Sequence, residues 1–136
     1  MSVSLNKFNC FVEDLAEKVH NLGSDQITVA LTDSAPSASN TVLANITQIS
    51  YTNLSARNIT TTSSAQTSGT YKLVLQDLTM TATGTVAQFR YVVLYNSTTG
   101  SGNLIGWYDY GSEVNLVNGN TFTIDFDGTN GALTLA

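Results

Sequence analysis

The stretch Gln88–Tyr110 constrains the fold of this chain more than any other: QFRYVVLYN, a short polar loop, then NLIGWYDY. In an extended chain Phe89, Tyr91, Val93 and Tyr95 point to one face, and Val92 and Leu94 to the other. A strand that is apolar on both faces belongs inside a sheet or sandwich, covered on each side. Between the two apolar runs, Asn96–Gly102 (NSTTGSG) is too polar and glycine-rich to pack, so it turns the chain back on itself. A central β-hairpin is the expectation.

Short strands with turn signals surround it. Gln26–Thr32 (QITVALT) alternates, with Ile27, Val29 and Leu31 inward. Asp33–Asn40 holds the only proline and reads as a loop, and Arg57–Thr61 is a candidate edge strand. Thr62–Ser68 (TSSAQTS) has no apolar pattern and is expected to be a mobile loop. In Thr70–Gly84 the apolar parity flips across Gln76–Asp77, from Tyr71, Leu73 and Leu75 to Leu78, Met80 and Ala82. Such a flip marks a bulge, a bend or a strand crossing between sheets. Asn118-Gly119, between Glu113–Val117 and Thr121–Asp127, carries the strongest short-range hairpin signal, because a type I′ turn needs two positive φ angles. Leu133 and Leu135 form a last strand.

One helix is expected, over about residues 7–22. Phe8, Phe11, Val12, Leu15, Val19 and Leu22 recur at helical spacing, with Asn6 as N-cap and Gly23 as the C-terminal stop. Lys18 and His20 near its end suit the helix dipole. The count of about eight strands after one helix predicts an all-β protein, an antiparallel β-sandwich (jelly-roll-like) with one N-terminal amphipathic α-helix, as a single domain over residues 1–136. Its expected core is Phe89, Tyr91, Val93, Trp107, Phe122, Ile124 and Phe126, with Phe11, Leu15 and Val19 packed upon it.

Composition bounds the function. Charged residues are 11% of the chain, against about a quarter in ordinary globular proteins. Lys7, Lys18, Arg57, Lys72 and Arg90 are scattered and the net charge is −5, so nucleic acid is not an expected partner. The helix's polar face is acidic, which argues against anionic lipid. No run of about 18 apolar residues could span a bilayer, and no basic segment followed by an apolar run suggests a signal peptide. A soluble protein folded in a reducing cytoplasm is expected, with Cys10, the one cysteine, a buried and inert thiol.

No catalytic constellation stands out. His20 is the only histidine, which excludes a histidine metal cluster. Asp125 and Asp127 share a strand face and could bind Ca²⁺ with Asp109, but they read more simply as solvated acids. Asp109 with Glu113 or Asp125 could pair as glycosidase carboxylates, without any visible pocket. Trp107, Tyr108 and Tyr110 could make a sugar platform, or pack in the core with hydroxyls at the rim. No catalytic residue, cofactor or metal requirement follows from these residues.

Three stretches together resemble a family of small tailed-bacteriophage proteins encoded among virion structural genes: KFNCFVEDLAEKVHNLGSD (Lys7–Asp25), QITVALTDSAPSASNTVLANIT (Gln26–Thr47) and FRYVVLYN…LIGWYDYG (Phe89–Gly111). The resemblance runs to the TFTIDFD…GALTLA ending and brings no catalytic motif. It implies a non-enzymatic virion protein, assembled in the host bacterial cytoplasm, that decorates or cements the capsid. The implied partners are the major capsid protein and further copies of itself, as a dimer or trimer. A tail or head–tail accessory protein contacting the host surface or its glycans is the alternative. Two segments are candidate contact elements: Thr52–Ser68, with Thr52, Asn53, Arg57 and Asn58, and the hairpin loop with Asn96, Thr98 and the adjoining Asn103.

Overall fold

The computed structural model of the protein describes residues 3–136. Its fold is an antiparallel β-sandwich with one N-terminal helix. The larger layer is a five-stranded sheet in the order β1-β8-β7-β2-β3, built from Asn6–Lys7, Asn103–Val114, Phe89–Asn96, Ile27–Thr32 and Asn58–Ile59. The facing layer is made of two smaller sheets. One runs β10-β5-β4 (Leu133–Leu135, Thr70–Leu75, Thr61–Thr67), and the other pairs β6 (Leu78–Thr81) with β9 (Thr121–Ile124). The parity flip at Gln76–Asp77 is the point where the chain leaves one small sheet for the other. There the Gln76 amide bonds to the Thr60 carbonyl, and Asp77 Oδ1 accepts from the Phe126 amide at 2.9 Å.

The central hairpin β7–β8 stands where its apolar pattern requires, and β2 beside it is buried along its whole length. The main core lies between the layers and draws Ile27, Val29 and Leu31 from β2, Leu73 and Leu75 from β5, and Phe122 and Ile124 from β9. A second cluster covers the outer face of the large sheet: Phe8, Ala30, Ile46, Val93, Tyr95 and Leu104, with Trp107 packed on them. Val93 and Trp107 therefore belong to this outer cluster and not to the main core, and Tyr91 is only half-buried. The single-face expectation for Phe89, Tyr91, Val93 and Tyr95 fails at a bulge. Phe89 pairs with Val114 but Tyr91 with Asp109, and the extra residues of β8, with Gly111 at φ +94°, turn Phe89 to the face of Val92 and Leu94.

The helix α1 is shorter than its periodicity suggests, Asn9–Ala16. Asn6 does not cap it; Asn6–Lys7 is β1, paired with Trp107 and Gly106 of β8. That approach needs a glycine, since a Cβ at residue 106 would sit 2.7 Å from the Asn6 carbonyl oxygen. The helix stops after Ala16 and the chain turns out of it at Lys18, not at Gly23. Lys18 takes φ +68°, and the Val19 amide reaches back to the Asp14 carbonyl at 2.8 Å, a Schellman closure with lysine where glycine is usual. Val19 is thereby thrown onto the surface, while Phe11 and Leu22 enter the main core.

Two turn assignments change places. Asn118-Gly119 lies in a tight turn closed by the Asn120 amide on the Val117 carbonyl, but only Gly119 has positive φ, and β9 pairs with β6 instead. Without the second positive φ the turn lacks the twist that joins two paired strands. Ser68 and Gly69 have it, at +52° and +86°, and they join β4 to β5. Thr61–Thr67 is therefore an ordered strand, and the mobile loop expected over Thr62–Ser68 is not present.

Candidate functional site

The two candidate contact elements meet at the tip of the central hairpin. Thr28, buried in β2, places its hydroxyl 3.2 Å from Asn58 Oδ1 and 3.0 Å from Ser97 Oγ. Ser97 in turn donates to the Gln26 carbonyl, and Thr98 Oγ1 accepts from the Gln26 amide at 2.8 Å. Asn58, Ser97, Thr98 and Gln26 thus form one exposed, uncharged ridge whose backbone is tied to the core strand. Thr99 stiffens the loop behind it, donating to the Asn96 carbonyl and accepting from the Asn103 amide. Gln26 and Ser97 were not singled out by sequence, because an exposed polar residue acquires a position only from the strands that carry it.

The other candidates lie elsewhere. Asn96, expected at a contact surface, is instead fully buried. Its Nδ2 donates to Asp25 Oδ2 at 2.6 Å and lies 3.0 Å from His20 Nδ1, while its Oδ1 accepts from the Thr98 amide. Asn103 is half-buried and donates to Asp14 Oδ2. Arg57 stacks 3.6 Å above the centre of the Tyr51 ring and donates to the Val29 carbonyl, closing the edge of β2. Thr52 and Asn53 are exposed, but Asn53 is bonded to the Thr83–Thr85 segment, away from the ridge.

Beneath the ridge sits a polar cluster that the sequence does not announce. His20 is not a dipole partner at a helix end; it is 5% exposed, its ring against Phe11 and its Nε2 4.0 Å from Asp14 Oδ2 with no hydrogen bond. The Asn96 amide occupies the Nδ1 lone pair, so this histidine presents no basic nitrogen to the cavity of about 380 Å³ that it lines. Burial lowers its pKa below the ordinary 6.5 despite the attraction of Asp14 and Asp25. The neutral imidazole is thus favoured by folding, and the stability it contributes is present above pH 6.5 and lost as pH falls through the lowered folded-state value. Melting temperatures should therefore fall over that window more steeply for the wild type than for His20→Gln. Equal slopes would show that another group controls the transition.

The carboxylates considered for chemistry are engaged structurally. Asp109 is held by Arg90 in a two-point pair at 2.8 and 3.2 Å, which lowers the carboxyl pKa. Glu113 and Asp33 both accept from Gln88 Nε2, and their proximity raises the Glu113 pKa. Asp127 caps the turn at Thr129 and Asn130. Among the described residues no group of three or more His, Cys, Asp or Glu could hold a metal ion. The aromatic triplet does not form one platform, because alternation on β8 sends Trp107 to the outer face and Tyr108 and Tyr110 to the other, where they pack on different rings. Trp107 stacks on Phe8, Tyr108 faces Phe126 with its hydroxyl pKa pushed up to about 12 by burial, and Tyr110 lies against Phe122. Cys10 is half-buried beside the carbonyls of Asn40 and Thr41, and burial raises its pKa, which favours the thiol over the reactive thiolate.

The class defined by these features is an antiparallel β-sandwich carrying a preorganised, uncharged ridge. Family models, curated proteins and solved structures give no match to the chain.

Proposed function

We propose that the protein is a non-enzymatic structural component of a tailed-bacteriophage virion, a decoration protein that binds the assembled lattice of the major capsid protein. The observation that carries this reading is the ridge of Asn58, Ser97, Thr98 and Gln26, hydrogen-bonded to β2 before any partner arrives. A surface already ordered loses little conformational entropy on binding, so weak polar contacts repeated over a lattice suffice. Binding only the assembled lattice stabilises it by mass action. Self-association as a symmetric dimer or trimer would match the symmetry axes on which repeated capsid sites lie. The engagement of Asp109, Glu113 and Asp127 in local hydrogen bonds supports a binding role over a hydrolytic one.

The test is to add purified protein to particles that lack it. It should bind capsids, with only modest weakening at high salt because the ridge is uncharged. Thr98→Lys with Asn58→Lys should weaken binding; because both side chains also hold the ridge to β2, the melting temperature is read beside it to separate lost contact from lost order. Binding to tails or host glycans, with none to capsids, would replace this reading with a tail or head–tail accessory role.

A further inference from the structure

The sandwich is open along one side. β10 is the terminal strand of its small sheet and β1 the terminal strand of the large one, and the two edges are not paired with each other. A cavity of about 390 Å³ lies along this seam, and a second of about 380 Å³, walled also by Ser64 of β4 and Tyr71 of β5, adjoins it at Leu135. Phe11, Val12 and Leu133 line the first and Leu15 the second; Val12 and Leu135 remain 52% and 40% exposed. A strand edge presents main-chain donors and acceptors to any extended segment that fits beside it.

Charge selects among such segments. Of the five cationic side chains, Arg57 is spent on Tyr51 and the Val29 carbonyl, Arg90 on Asp109, and Lys72 on the Thr129 carbonyl. The Lys7 and Lys18 side chains have no hydrogen bond or ion pair among the described residues, and each residue lines one of the two cavities. In a chain of net charge −5, the two lysines whose side chains have no partner among the described residues thus border its apolar seam.

We propose that this seam receives an extended segment of a different protein, apolar at alternate positions and carrying carboxylates, added as a strand to the outer edge of β10. The apolar side chains enter the cavities around Leu135, and the carboxylates meet Lys7 and Lys18. A second copy of this chain is the poorer occupant, because its own edge strand β10, Leu-Thr-Leu, offers no side-chain carboxylate to meet Lys7 and Lys18. The seam is a different surface from the ridge, and the proposal stands or falls apart from the virion assignment.

The experiment uses the full chain, immobilised, and a displayed library of random short peptides. Enriched peptides are resynthesised and their affinities measured for the wild type, for Leu135→Asp, and for Lys7→Glu with Lys18→Glu. The expected peptides alternate apolar and polar residues and contain Asp or Glu. Leu135→Asp should weaken them by about tenfold or more, as for a charge placed in an apolar contact. The double lysine variant, altered only on the surface, should lose the preference for acidic peptides even if Leu135→Asp fails to fold. Amides of Leu133–Leu135 should gain protection from exchange when peptide is bound. The proposal is overturned by a failure to enrich, by peptides without acidic residues, or by binding that the lysine variant leaves unchanged. It is equally overturned by a dimer of the protein that Leu135→Asp dissociates.

Discussion

Truncating Phe122 to alanine should cost about 3–5 kcal/mol, the range for deletion of a buried aromatic. The ring is 7% exposed, stands edge-on to Phe89 at 5.2 Å and touches Tyr110 at 5.3 Å. Phe122 lies on β9, and the sheet that holds it has only one other strand, β6, paired through Met80. A two-stranded sheet has little stability of its own, so its place in the sandwich depends on such side chains. For a domain of this size the loss should lower the melting temperature by about 10–20 °C. A variant melting near the wild type would place Phe122 outside the core.

Asn96→Ala should be the most damaging polar substitution. The side chain is fully enclosed, and its removal takes the partner from His20 Nδ1 and the Thr98 amide and leaves Asp25 Oδ2 with only the Asn21 amide. Buried groups stripped of their partners make the expected cost about 2–4 kcal/mol. Denaturant unfolding would measure it as a shifted midpoint at unchanged slope. Amide exchange should quicken across Ser97–Asn103, because Asn96 anchors the loop that forms the ridge. Asn96→Asp sets a second carboxylate against Asp25, so its deficit should shrink when acid neutralises the pair. Stability equal to the wild type in both variants would show that the cluster is not structural.

The sandwich was legible because its strongest evidence is local. Val92, Val93, Leu94 and Tyr95 are apolar in succession, and only a central strand covered on both faces buries such a run. The parity flip at Gln76–Asp77 was equally readable, since a strand that changes sheets must change the side it buries. The helix was overextended for a related reason. Val19 and Leu22 continue the helical spacing past Lys18, and periodicity does not register the positive φ at which the chain turns. β4 is not legible in sequence because TTSSAQT has no apolar alternation; it is held by backbone pairing with β5 and by the turn at Ser68-Gly69.

The functional surface was legible only in part. The hairpin loop could be placed from its own residues, since Asn96–Gly102 cannot pack and must turn. Its neighbours could not, because hydrogen bonds between residues far apart in the chain depend on strand order. Thr28, Asn58 and Ser97 are distant in sequence and meet only because β2 lies between β3 and β7. Burial works in the same way. Asn96 and Thr98 are alike as polar loop residues, yet one faces His20 and Asp25 inside while the other reaches the surface. The residues along the chain determined the all-β class, the central hairpin and a break in strand phase at Gln76–Asp77, because each follows from the side-chain period of two in a strand. That this break is a crossing between sheets was decided by the tertiary structure. Tertiary structure alone decided which polar groups pair, where His20 is buried and where the sandwich is left open at β10, because those depend on strand order and register.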